Sequence, residues 1–126
     1  MFDAALPRKI FAGADMFLIP SRFEPGGIVA LEAMRYGCVP VVRETGGLAD
    51  SVVDYDPDQN VGTGFMFKNY SPMSFLVAVT RALETFRNKR EWKKIIKRGM
   101  GQDFSWDKAA KKYVDLYHRA MNYALG

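Results

Sequence analysis

Asp15-Met16-Phe17-Leu18-Ile19-Pro20-Ser21-Arg22-Phe23-Glu24-Pro25-Gly26-Gly27-Ile28-Val29-Ala30-Leu31-Glu32-Ala33-Met34-Arg35-Tyr36-Gly37-Cys38-Val39-Pro40-Val41-Val42 reads as strand, loop, helix and second strand. Met16 to Ile19 is an apolar run of strand length, stopped at Pro20. Ser21 to Gly27 carries the proline and paired glycines of a loop. Ile28 to Tyr36 is built mainly of good helix formers and closes on Gly37, which suits a left-handed C-cap. Cys38 to Val42 is apolar again, and Pro40 within it predicts an edge or irregular strand, because proline cannot donate to a ladder. Strands joined through a helix are parallel strands, since a short hairpin connection is not available to them.

The same pattern continues outward. Pro7 suits a first helical position, so a short helix is expected to end near Asp15. Thr45-Gly46-Gly47 leads into a helical piece from Leu48 to Val53, and Asp54 to Asn60 is a polar turn-forming loop. Gly64 to Phe67 is a third short strand. Ser71-Pro72 opens a helix reaching about Phe86, with Ser71 as N-cap. A further helix over 89–98 is broken by Gly99 and Gly101, and a last one runs from Trp106 to about Tyr123. The expected fold class is α/β, about three short parallel strands flanked by helices, with a helical C-terminal tail.

Composition narrows the class. With 126 residues, 48% hydrophobic and 25% charged, the chain has the balance of one soluble globular domain and not of a disordered or collagen-like chain. No apolar run approaches a membrane span, and the start lacks the basic end and apolar block of a signal peptide, so a cytoplasmic location is expected. A single cysteine, Cys38, rules out an internal disulfide, and with a single histidine, His118, no Cys/His zinc site of usual spacing is possible.

Charge is uneven: residues 1–80 carry 6 basic and 9 acidic side chains, residues 81–126 carry 12 and 5. Lys89, Arg90, Lys93, Lys94, Lys97 and Arg98 interleave with Trp92, Ile95 and Ile96, the pattern of an amphipathic helix with a solvated basic face. A nucleic-acid partner is not expected, because no nucleic-acid motif accompanies the charge.

Chemistry concentrates in the first loop. A strand ending at Pro20, Gly26-Gly27 and an immediately following helix form the arrangement that receives phosphate at a helix N-terminus. Glu24 sits in that loop, either facing a ligand or capping the helix N–H groups. Glu32 lies on an otherwise apolar helix, either lining a polar cavity or turned to solvent beside Arg35.

Ser21 to Gly37 resembles the E-x7-E region of retaining nucleotide-sugar glycosyltransferases of the GT-B fold, and more narrowly is similar to bacterial glycogen synthase and plant starch synthase. Thr45-Gly-Gly-Leu-Ala-Asp50, Gly64-Phe-Met-Phe67, Asp103-Phe-Ser-Trp106 and Tyr113 with Leu116-Tyr117 recur in that family in the same order. The resemblance implies that Glu24 contacts the donor sugar's hydroxyls and is needed for transfer. It implies that Gly26, Gly27 and Ile28 receive the distal phosphate with their backbone, that Glu32 binds the ribose hydroxyls, and that Thr45, Gly46 and Gly47 form a loop near the donor pocket.

The implied reaction moves glucose from ADP-glucose or UDP-glucose to the non-reducing end of an α-1,4-glucan with retention, and the resemblance implies that it needs no bound metal and no cofactor. Relatives bind the glucan with an N-terminal domain and bring an Arg and a Lys from earlier βα units onto the diphosphate. Arg22 and Arg43 do not match that pair. The chain is therefore expected to be the second half of a Rossmann-like C-terminal domain, inactive by itself, and located in the cytoplasm or, in a plant, a plastid. Alternatives are a part of a sucrose or trehalose-phosphate type transferase, or a non-catalytic assembly or binding module. A half-sheet is also expected to expose a strand edge and apolar side chains such as Phe11, Phe17 or Phe75, favouring self-association.

Overall fold

A computed structural model describes residues 5–125 of the chain. Its elements follow the order α1 (Leu6–Gly13), β1 (Met16–Ile19), α2 (Ile28–Arg35), β2 (Val39–Arg43), α3 (Gly47–Ser51), β3 (Phe65–Phe67), α4 (Pro72–Arg87), α5 (Lys89–Met100) and α6 (Trp106–Leu125). The strands form one parallel sheet in the order β1-β2-β3, with Met16 opposite Val39 and Val41 opposite Phe65.

Side chains alternate across the sheet, as the strand period of two requires. On one face Val39, Val41, Phe65 and Phe67 pack with Ala78 and Ala82 of α4 and Trp92 and Ile95 of α5. On the other, Ile19 and Val42 pack with Ala30 and Met34 of α2 and with Leu48 and Val52. Phe65 is fully enclosed and stacks on Trp92 at 6.0 Å. Truncating a ring so enclosed costs roughly 3–5 kcal/mol, because both transfer energy and packing are lost. Asp54 ties the sheet to α4: it accepts the Met66 N–H at 2.7 Å and pairs with Arg81 at 3.1 Å.

Three expectations need correction. β2 is the central strand, not an edge, and Pro40 is fully buried in it. Its ladder to β3 starts only at Val41, so Pro40 stands before that pairing begins. Gly64 makes the room, since a Cβ there would lie 2.9 Å from the Pro40 ring. Second, Gly99 does not break α5 but lies inside it, buried, where a Cβ would meet Met34 of α2 at 3.4 Å; the missing side chain lets the two helices approach. Third, Phe11 is buried, packing edge-on against Phe17 at 5.0 Å, and Phe75 is partly buried against the core. Exposed apolar side chains include instead Leu18 on β1, Phe23 and Ile28 at the first loop, and Met73, Leu76, Val77 and Leu83 on the outer face of α4. α6 is exposed along almost its whole length, with Trp106 83% exposed and Tyr113 and Tyr117 also in solvent rather than packed.

Candidate functional site

At the carboxyl edge of the sheet, β1 passes into the Ser21–Gly27 loop and then into α2. Gly27 is the N-cap of α2 in a left-handed conformation, φ 64°, which glycine adopts without steric cost. No side chain caps this helix. The Gly27 carbonyl accepts from Ala30 and Leu31, at 3.0 and 3.4 Å. The N–H groups of Ile28 and Val29 have no acceptor among the described residues and are left at the positive end of the helix. Glu24 reaches the same point from the loop: its Oε1 accepts the Gly27 N–H at 3.4 Å.

The second glycine loop packs directly onto the first. Gly47 N–H donates to the Glu24 carbonyl at 2.9 Å. A Cβ on Gly27 would lie 2.7 Å from the Gly47 carbonyl, and one on Gly47 would lie 2.5 Å from the Gly26 carbonyl. A Cβ on Gly46 would strike the Glu24 carbonyl. Thr45, Gly46 and Gly47 thus serve the site by close backbone approach, holding the Glu24 loop while Thr45 accepts the Leu48 N–H that starts α3. Glu24, Gly26, Gly27, Ile28 and Thr45–Gly47 come together as one cluster.

Glu32 stands apart from that cluster. Ala30, Ala33 and Met34 turn inward, so Ile28, Glu32, Arg35 and Tyr36 share the exposed face of α2. Glu32 is exposed and makes no ion pair to Arg35, whose Nη1 donates to the Met100 carbonyl at 3.4 Å. Glu32 borders a groove of about 400 Å³ with Leu31, Arg35 and the Gln102–Ser105 segment. The Asp103-Phe-Ser-Trp106 motif therefore lies beside Glu32, though seventy residues separate them in sequence. Asp103 is held below the ordinary carboxylate range by hydrogen bonds from Ser105.

Sequence reasoning missed Arg43. It ends β2 and donates Nε to the Ser21 carbonyl at 3.1 Å, Nη2 to the Arg22 carbonyl and Nη1 to the Lys68 carbonyl at 3.3 Å. A basic residue at the carboxyl end of an apolar strand was the available signal. Cys38 and His118 lie outside the cluster. Cys38 is buried, and burial, followed by the nearby Asp15 charge, pushes its thiol up to about 11. His118 is exposed on α6. Among the described residues no group of three or more His, Cys, Asp or Glu could hold a metal ion, and no helix is long and apolar enough to cross a membrane.

An open parallel sheet whose first loop brings a carboxylate and paired glycines to a helix N-terminus at the carboxyl edge of its strands defines an α/β protein of the Rossmann-like kind. Residues 4–99 match the Glycosyl transferases group 1 family, and the chain belongs to it. It is 57% identical over 117 residues to glycogen synthase of Trichodesmium erythraeum, covering 93% of this chain and 25% of that protein. Glycogen synthase of Thermotoga maritima is 53% identical over 121 residues, 95% of this chain and 25% of its own length. The chain thus spans about a quarter of the length of the curated relatives it matches.

Among solved structures, the catalytic domain of starch synthase IV from Arabidopsis thaliana, bound to ADP and acarbose, superimposes with a TM-score of 0.85 at 39% identity, over 97% of this chain and 26% of that one. Sucrose-phosphate synthase from Thermosynechococcus elongatus shares the fold, with a TM-score of 0.67 at 24% identity over 98% of this chain and 29% of that one. Three parallel strands flanked by helices, read from the sequence as part of a GT-B fold, agree with the starch synthase likeness.

Proposed function

We propose that this chain is the donor-binding part of a glycogen or starch synthase, which transfers glucose from ADP-glucose or UDP-glucose to the non-reducing end of an α-1,4-glucan with retention. The observation that carries this reading is the meeting of the Glu24 carboxylate with the uncapped N-terminus of α2 across Gly27, in a chain 57% identical to a glycogen synthase. Leaving-group departure builds negative charge on the diphosphate while the sugar becomes cation-like. The free N–H groups of Ile28 and Val29 and the positive helix end suit the first charge, and the carboxylate of Glu24 suits the sugar. The ADP in the starch synthase IV structure supports a nucleoside diphosphate as the ligand class. Glu32, on the exposed face of α2, is assigned to the ribose hydroxyls.

On this reading the 126 residues form the second half of the C-terminal domain, and glucan binding and the basic pair on the diphosphate come from outside them. The isolated chain is then inactive, works in the cytoplasm as part of its parent, and self-associates through the exposed faces of α4 and α6. Nuclear magnetic resonance of the chain during an ADP titration tests the site. Amide shifts at Gly26, Gly27, Ile28 and Gly47 are expected, and unmoved amides at millimolar nucleotide refute the assignment. Labelled ADP-glucose and glycogen test the rest: elongation above background by the isolated chain would refute its inactivity.

A further inference from the structure

We propose that Arg43 is a positioning residue for the donor site: its guanidinium fixes the Ser21–Glu24 loop, and through it the Glu24 carboxylate, against the N-terminus of α2. The inference rests on reading Glu24 and α2 as that site. Arg43 stands at the carboxyl end of the central strand, the most rigidly held strand of the sheet, because β2 alone is paired on both sides. From there it spans two loops at once. Nε and Nη2 take the consecutive carbonyls of Ser21 and Arg22, and Nη1 takes the Lys68 carbonyl beyond β3. The guanidinium carbon lies 5.6 Å from the centroid of the Tyr70 ring.

This is fork chemistry and not point-charge chemistry. Three separate nitrogens held in one plane reach three carbonyls spread over two segments, whereas an ammonium must send all three of its donors from a single nitrogen on a flexible stem. Among the described residues no carboxylate lies within ion-pair distance of Arg43, so its partners are carbonyl dipoles. The held loop has little else to fix it. Arg22 and Phe23 are exposed, and past Arg22 the backbone is next tied at Glu24, whose carbonyl accepts from Gly47 at 2.9 Å. Arg43 therefore anchors the start of the loop and the Gly46–Gly47 backbone anchors its middle. With the start released, the carboxylate of Glu24 is free to drift, and displacement of a reacting group by about 1 Å is enough to cost roughly a hundredfold in rate.

The test compares Arg43→Lys, which keeps the charge and loses the fork, with Arg43→Met, which loses both, in the 126-residue chain. Three quantities are measured: affinity for ADP-glucose, affinity for ADP, and the exchange rate of the Gly47 amide. Both variants are expected to weaken ADP-glucose binding by about tenfold, the worth of one charge-assisted hydrogen bond. ADP binding should fall much less, because the phosphates meet the α2 backbone rather than Glu24, and Gly47 exchange should quicken in both. Affinity rescued by lysine would overturn the inference, since charge alone would then suffice. Equal loss of both ligands together with a lowered melting temperature would also overturn it, leaving Arg43 a scaffold residue only. Failure of the donor reading shows separately, as wild-type protein that binds neither ligand; Gly47 exchange in the variants then still upholds or refutes the hold of Arg43 on the loop.

Discussion

Replacing Gly47 with alanine adds one methyl group where two glycine loops meet backbone to backbone. The position needs no unusual dihedral angle, for Gly47 is not among the glycines with positive φ, so the cost is one of space. The new Cβ would lie 2.5 Å from the Gly26 carbonyl and 2.8 Å from the Gly27 nitrogen, and both are backbone atoms that cannot rotate away. Separating the loops enough to admit the methyl group costs about 1–3 kcal/mol, as overpacking elsewhere does. It also strains the Gly47 N–H bond to the Glu24 carbonyl, worth roughly 1 kcal/mol. We expect a total loss of about 2–4 kcal/mol. With a urea slope near 2 kcal/mol/M, the unfolding midpoint should fall by about 1–2 M at unchanged slope. Gly13 at the end of α1 is the control, because a Cβ there meets nothing within 4 Å; alanine should be neutral or stabilising by up to about 1 kcal/mol. A Gly47→Ala midpoint indistinguishable from wild type, beside a normal Gly13→Ala, would refute the clasp between the loops.

Three further outcomes follow from burial and exposure. Cys38, with its thiol raised from 9.0 to about 11, should resist alkylation at pH 8 in native protein and react in urea; native labelling at the rate of a free thiol would contradict its burial. Because the folded thiol holds its proton more tightly than the unfolded one, its contribution to stability is complete below pH 9 and declines as pH rises to about 11, which urea midpoints across that range would show. Deleting residues 106–126 should change the melting temperature little, since α6 is exposed almost throughout, while shifting light-scattering mass toward monomer. A clean monomer of the intact chain at high concentration would count against self-association.

The amino-acid sequence by itself determined the local elements and the first loop. The apolar run ending at Pro20, the paired glycines and the left-handed Gly37 just past the Tyr36 C-cap, at φ 80°, are short-range signals, so β1, the loop and α2 were legible without tertiary information. The motif order likewise pointed to the family that residues 4–99 match. Contacts between distant segments were not legible. Pro40 looked like an edge residue because the space beside it is left by Gly64, just ahead of β3 and more than twenty residues away. Gly99 looked like a helix breaker because its reason, close approach to Met34, lies on another helix. Arg43 could not be assigned for the same cause: its three carbonyl acceptors lie on two loops that only sheet formation brings to one place. Local periodicity is written in neighbouring residues, whereas the room a glycine leaves and the acceptors an arginine finds depend on which backbones the tertiary fold presses together.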